Sequence, residues 1–250
     1  ISTRLSAIPQ RHGSTVRAES TVLCSVSENV PEILRWRQWC LNMHSFAVPS
    51  TAWTPPSSQK WQIIMKKRLV IGLSGASGAP LGIELLRGMQ YFPDWETHLV
   101  YSSSFVKTLA YESSLSLDDE CHLADQVYPL DDVAASVSSG TFRTEGMVII
   151  PCSMKTLAGI ACGYSDNLLL RAADVTLKER RKLVLVTRET PLSQIHLRNM
   201  LSLTQTGAVI LPPMLTYYNN PQTIEDMTRH IVGKVMAEFG LEHPKFHRWK

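Results

Sequence analysis

The sequence predicts an α/β protein: a mostly parallel sheet lying between two layers of helices, built from residues 65–250. Three observations carry that prediction. Short aliphatic runs of strand length recur at residues 69–71, 97–101, 147–150, 183–186 and 208–211. Amphipathic stretches of helical length separate them, and strands alternating with helices form parallel sheets covered on both faces. The first run also passes straight into the glycine-rich turn of RLVIGLSGASGAP, residues 68–80.

In that segment Leu69, Val70 and Ile71 are too short a run for a helix and suit a buried strand. Gly72, Gly75 and Gly78 follow, with Ser74 and Ser77 between them, and Pro80 opens a helix across 81–89. Strand, glycine turn and helix together aim backbone N–H groups at an anion, usually a phosphate. A tight connection without a ligand has the same local pattern. Residues 97–101 form a second strand ending in Ser102, Ser103 and Ser104, and the helix after it closes at Glu112. Residues 113–145 are polar and mixed, with turn chemistry at Ser138-Ser139-Gly140. The third strand is halted by Pro151, a short helix starts near Ser153, and a longer one covers 167–181. The fourth strand stops at Thr187-Arg188-Glu189, a helix covers 193–205, and the fifth strand ends at Pro212-Pro213. A last helix covers 223–239.

Ligands of parallel sheets sit outside the carboxyl ends of the strands. Here those ends carry Gly75-Ala76-Ser77, Ser102, the run Ser153-Met154-Lys155-Thr156, Arg188-Glu189 and Tyr217-Tyr218. Serines, a lysine and free amides suit a phosphorylated planar cofactor, and a guanidinium can fork onto phosphate. Glu189 is an acid/base candidate, with a structural Arg188–Glu189 pair as the alternative. Arg171 and Lys178 are seven residues apart on one helical face, either a cationic site or a solvated edge. Cys152 reads as a packed thiol, His196 as structural or surface, and the acids at 118–120 and 131–132 as a solvated edge.

Composition narrows the class. Before Lys66 there are six Lys/Arg and three Asp/Glu; from Lys66 onward there are nineteen of each. The body of the chain is therefore neutral, which argues against a nucleic-acid surface. No apolar run reaches the roughly 18 residues of a membrane span, so a soluble protein is expected. Five irregularly spaced cysteines give neither a disulfide framework nor a zinc site, and a reducing compartment fits them. Residues 1–64 are rich in Ser and Thr and hold four of the six tryptophans. They read as a dispensable or disordered extension, or as a transit peptide, since Arg4, Arg11 and Arg17 have no acid among them.

Three blocks, GLSGASGAPLG, the stretch from SSGTFRTEGMVIIPCSMKTLAG to KLVLVTRETPLS, and GAVILPPMLTYYNNPQT, resemble the UbiX-type flavin prenyltransferases over about residues 65–249. The resemblance is nearest to members partnered with phenolic-acid decarboxylases. It implies a three-layer Rossmann-like (flavodoxin-like) sandwich that moves a dimethylallyl group from dimethylallyl monophosphate to N5 and C6 of reduced FMN, without a metal. The product, prenylated FMN, then serves a UbiD-type decarboxylase. By motif, Gly75, Ala76, Ser77, Ser102, Ser153, Met154, Lys155, Thr156 and Arg188 fall on the flavin site. Tyr218, Lys234, Arg171 and Lys178 fall on the donor phosphate, and Glu189, Glu112 and Ser77 on the catalytic positions. The family also implies a homododecamer with active sites at subunit contacts. It implies a cytoplasmic location, or the mitochondrial matrix if the extension is a transit peptide. A flavin-dependent cysteine decarboxylase of the same fold would need a histidine and a PxMNxxMW-like stretch where VTRETPLSQIHLRNM stands. A non-catalytic FMN carrier would leave Lys178, Tyr218 and Lys234 without a role.

Overall fold

Six parallel strands form one sheet in the order β3-β2-β1-β4-β5-β6 in a computed structural model that describes residues 66–249. The strands are β1 (Lys67–Leu73), β2 (Trp95–Tyr101), β3 (Gln126–Tyr128), β4 (Gly146–Cys152), β5 (Lys182–Thr187) and β6 (Val209–Ile210). The helices are α1 (Ala79–Met89), α2 (Ser103–Glu112), α3 (Leu117–Glu120), α4 (Met154–Ala161), α5 (Leu168–Lys178), α6 (Gln194–Gln205) and α7 (Ile224–Ala237). The extension over residues 1–64 and the boundary at Met65 lie outside the described residues.

The continuous apolar runs follow from burial on both faces. Leu69, Ile71 and Leu73 point into a core shared with α1, α2 and α7. Val70 and the β4 residues Met147 and Ile149 point the other way, into a core with α4 and α5. Residues one apart on a strand face opposite sides, so a sheet sandwiched between helices needs apolar residues at every position. Four helix starts expected at Ser153, Asn167, Ser193 and Thr223 are N-caps, each side chain accepting a backbone N–H from the first turn.

Three expectations are corrected. The stretch 113–145 contains a strand, β3, which has no run of apolar residues because it is a three-residue edge paired only with β2. Pro151 does not halt the third strand: β4 runs on to Cys152, and the missing N–H falls where the register with β5 shifts, between Ile149 and Cys152. The helix expected over 167–181 ends at Lys178, because Arg180 takes φ 58° to turn the chain into β5.

The strand order decides where a ligand can enter. Without the short edge strand the order becomes that of flavodoxin-like sheets, with a reversal of winding between β1 and β4. The loops leaving β1 and β4 therefore diverge and open a crevice. Gly82 on α1 fixes how closely that helix lies on the sheet. A Cβ there would stand 2.6 Å from Leu73 Cδ2 and 2.8 Å from the Ile150 carbonyl oxygen. Gly82→Ala gains helix propensity, roughly 1 kcal/mol, but overpacks against rigid backbone at about 1–3 kcal/mol. The expected outcome is a lower denaturant midpoint than wild type.

Candidate functional site

The crevice is held by one buried hydroxyl. Ser74, 2% exposed, donates from Oγ to the Pro151 carbonyl at 2.8 Å and accepts the Ser153 N–H at 2.8 Å. Its own N–H reaches the same Pro151 carbonyl at 3.3 Å. The neighbouring exits are joined by backbone bonds: the Ser102 N–H donates to Leu73 O at 3.0 Å and the Arg188 N–H to Cys152 O at 3.2 Å. Gly75 lies against α2, where a Cβ would come 2.3 Å from Ser104 Cβ. The exits of β1, β2, β4 and β5 thus form one connected rim. Sequence reading assigned Ser74 no role; its place between β1 and the glycine turn gave no hint that its partner is 77 residues away.

Around this rim most of the expected flavin residues come together. The Ser102 and Ser153 hydroxyls cap α2 and α4, accepting the Phe105 N–H at 3.2 Å and the Thr156 N–H at 3.3 Å. Thr156 Oγ1 adds a 3.0 Å bond to Ser153 Oγ. The N–H groups of Gly75, Ser77, Ser103 and Ser104, and the Ser77 hydroxyl, have no partner among the described residues. Arg188 and Lys155, both exposed, form no ion pair among the described residues. Open N–H groups in the glycine turn and at the α2 N-terminus, beside two cations without an ion pair, are a fit for a phosphorylated ligand.

At α1 the anion comes from the chain itself. The Glu112 carboxylate accepts the Gly78 N–H at 2.9 Å and the Ala79 N–H at 2.8 Å. A carboxylate in this position is stabilised by the helix dipole and leaves that N-terminus closed to a phosphate. The glycine turn therefore offers Gly75 and Ser77 to a ligand, but not the helix start that follows them. Glu112 thus holds the two residues that directly follow Ser77.

Glu189 is exposed and does not pair with Arg188; its Oε1 accepts the Thr190 N–H at 3.0 Å. Cys152 is fully buried, and burial pushes its thiol up to about 12, so it stays protonated near neutral pH. His196 completes a capping box with Ser193.

The donor-phosphate candidates have other partners within the protomer. Tyr218 Oη is 3.2 Å from His230 Nε2, and its ring meets Trp249 edge-on. Lys234 lines a cavity of about 310 Å³ with Leu211, Pro212 and Met214. Arg171 pairs with Asp174 at 2.7 Å. Lys178 pairs with Glu179, whose carboxyl it holds below its ordinary range. No hydrogen bond or ion pair joins any of these four to Ser77 or Arg188 among the described residues.

A model of the family described as Flavoprotein matches residues 57–236. A probable UbiX-like flavin prenyltransferase of Sedimentibacter hydroxybenzoicus is 56% identical over 183 residues, which is 73% of this chain and 97% of that protein. The chain belongs to the UbiX-like flavin prenyltransferases. Two solved structures share the fold. A dodecameric FMN-dependent UbiX-like decarboxylase from Escherichia coli O157:H7 is 53% identical, with TM-score 0.72 over 73% of this chain and 99% of that one. AnUbiX, solved with FMN and dimethylallyl pyrophosphate, is 49% identical, with TM-score 0.73 over 74% of this chain and 98% of that one.

The two serines of the turn should separate by experiment. Ser74→Ala strips the buried Ser153 N–H of its acceptor, at an expected cost of about 1–3 kcal/mol in the unfolding midpoint. Ser77→Ala removes a hydroxyl with no internal partner and should leave the midpoint within about 0.5 kcal/mol of wild type.

Proposed function

We propose that this chain transfers the dimethylallyl group of dimethylallyl monophosphate to N5 and C6 of reduced FMN, releasing phosphate and giving prenylated FMN. One observation carries the assignment to this crevice: the open amides of Gly75, Ser77, Ser103 and Ser104 belong to the same hydrogen-bonded set of strand exits as the exposed Arg188 and Lys155. In this reading the Ser102 and Ser153-Met154-Lys155-Thr156 loops hold the flavin phosphate and ring. Reduced FMN supplies the electron-rich nitrogen and carbon that receive the prenyl carbons. Glu189, beside Arg188 and free of an ion pair, accepts the proton released from the flavin. Glu112 and Ser77 form the edge of the site nearest the allyl group.

The donor side needs cations fixed on a departing phosphate, because preorganised donors aimed at developing negative charge give the largest catalytic term. Tyr218, Lys234, Arg171 and Lys178 supply that set, and a neighbouring subunit brings them to the crevice. Two features support assembly. Ile195, Leu197 and Leu201 on α6 and Met214, Leu215 and Tyr217 in the next loop are exposed apolar side chains, Met214 at 70% and Tyr217 at 72%; such patches mark protein contacts. A dodecameric relative shares the fold. A UbiD-type decarboxylase is the proposed recipient, since the product is itself a cofactor. Residues 65–250 form the catalytic domain in this reading. No described helix is long and apolar enough to cross a membrane, and a reducing compartment, the cytoplasm or the matrix, suits a reduced flavin substrate.

Anaerobic incubation with reduced FMN and dimethylallyl monophosphate should release flavin heavier by one prenyl unit; unmodified flavin in both the monophosphate and pyrophosphate reactions overturns the assignment. Glu189→Gln should slow transfer by about 10²-fold or more while FMN binding, read by flavin fluorescence, stays at wild-type affinity.

A further inference from the structure

His230 is a buried ionisable group that the proposed chemistry leaves unused. It sits on α7 with its side chain 3% exposed, and burial, Lys234 and His247 all hold its imidazole below the ordinary histidine range. The ring is therefore neutral and carries a single N–H. Nε2 lies 3.2 Å from Tyr218 Oη, whereas Nδ1 has no hydrogen-bond partner among the described residues. A proton on Nδ1 would bury an N–H with no acceptor. A proton on Nε2 leaves only a bare lone pair there and gives the N–H a partner.

We infer that His230 is a positioning residue for donor binding, its Nε2–H donating to Tyr218 Oη so that the phenolic proton is left to point outward at a phosphate oxygen. The inference rests on the reading of Tyr218 as a ligand of the donor phosphate. A phenol that accepts one hydrogen bond becomes a better donor in the next, because hydrogen bonds in series polarise one another. Position is fixed as well as polarity. The Tyr218 ring stands edge-on to His230 at 5.4 Å between centroids and edge-on to Trp249 at 4.9 Å, so it is gripped from two sides. Phe246 packs on the imidazole at 5.1 Å and keeps water from it. Tyr218 as a whole is 43% exposed, so the residue keeps an open side beyond its two aromatic neighbours.

The test is a double-mutant cycle on the full-length protein, reading kcat/KM for dimethylallyl monophosphate at saturating reduced FMN, with FMN affinity and melting temperature measured alongside. His230→Leu should lower kcat/KM about fivefold, with FMN affinity unchanged. His230→Gln, whose amide N–H reaches the Nε2 position, should stay within about twofold of wild type. In a Tyr218→Phe background His230→Leu should cost nothing more. If the leucine variant does not fold, His230→Asn replaces it, since its amide is too short to reach Oη. Equal losses in both backgrounds, or a glutamine variant no better than leucine or asparagine, overturn the inference while the role of Tyr218 stands. An unchanged kcat/KM in Tyr218→Phe overturns both.

Discussion

The structure depends on how β1 and β4 leave the sheet. They are neighbours whose outgoing connections turn to opposite faces, α1 to one and α4 to the other. The crevice between them is a consequence of topology, but topology does not fix its width. That is set by Ser74, whose buried hydroxyl is donor to one strand exit and acceptor from the next. A hydroxyl can do both at once, where a carbonyl or an amide N–H can do only one. The same bond places the Ser153 N-cap, so the start of α4 is positioned from β1 across the gap.

The Glu112 cap changes the electrostatics of the crevice. An uncapped helix start beside a glycine turn would carry about half a positive charge. Here a carboxylate neutralises it, and the positive rim moves to α2, α4, Lys155 and Arg188. An anionic ligand is thus drawn to the open amides of Gly75, Ser77, Ser103 and Ser104, while the start of α1, closed by Glu112, is left for a group that carries no negative charge. On the proposed reading that is where a developing allyl cation belongs, since the Glu112 carboxylate, fixed by the Gly78 and Ala79 N–H groups, lies on that side.

Much of this was legible in the sequence because the signals are local. Apolar runs bounded by Gly, Pro and Ser located five strands, and Ser153, Asn167, Ser193 and Thr223 marked helix starts within one residue. The strand β3 escaped because an exposed edge of three residues has no need of an apolar face. Pro151 misled because the rule that proline ends a strand assumes a regular ladder, and here the ladder shifts at that point. The contacts of Ser74 and Glu112 escaped for a different reason. Their partners are 77 and about 34 residues away, and no spacing along the chain encodes a contact made by folding. His230, twelve residues past Tyr218 on another element, is the same case.

On the proposed reading, dividing the flavin rim and the Tyr218–Lys234 set between subunits has a physical use. An allylic cation formed in water would be captured by water, so ionisation has to wait until the site is closed. If one chain carried both halves, each unassembled protomer would hold an ionisation site open to solvent. With Arg188 on one chain and Tyr218 and Lys234 supplied by another, as proposed, the cations would meet the donor phosphate only where the subunit contact has already excluded water. The exposed apolar residues of α6 and the loop at 214–217 are the kind of surface that such a contact buries. Assembly on this account is a condition of the chemistry, because the step that expels phosphate and the step that expels solvent use the same interface.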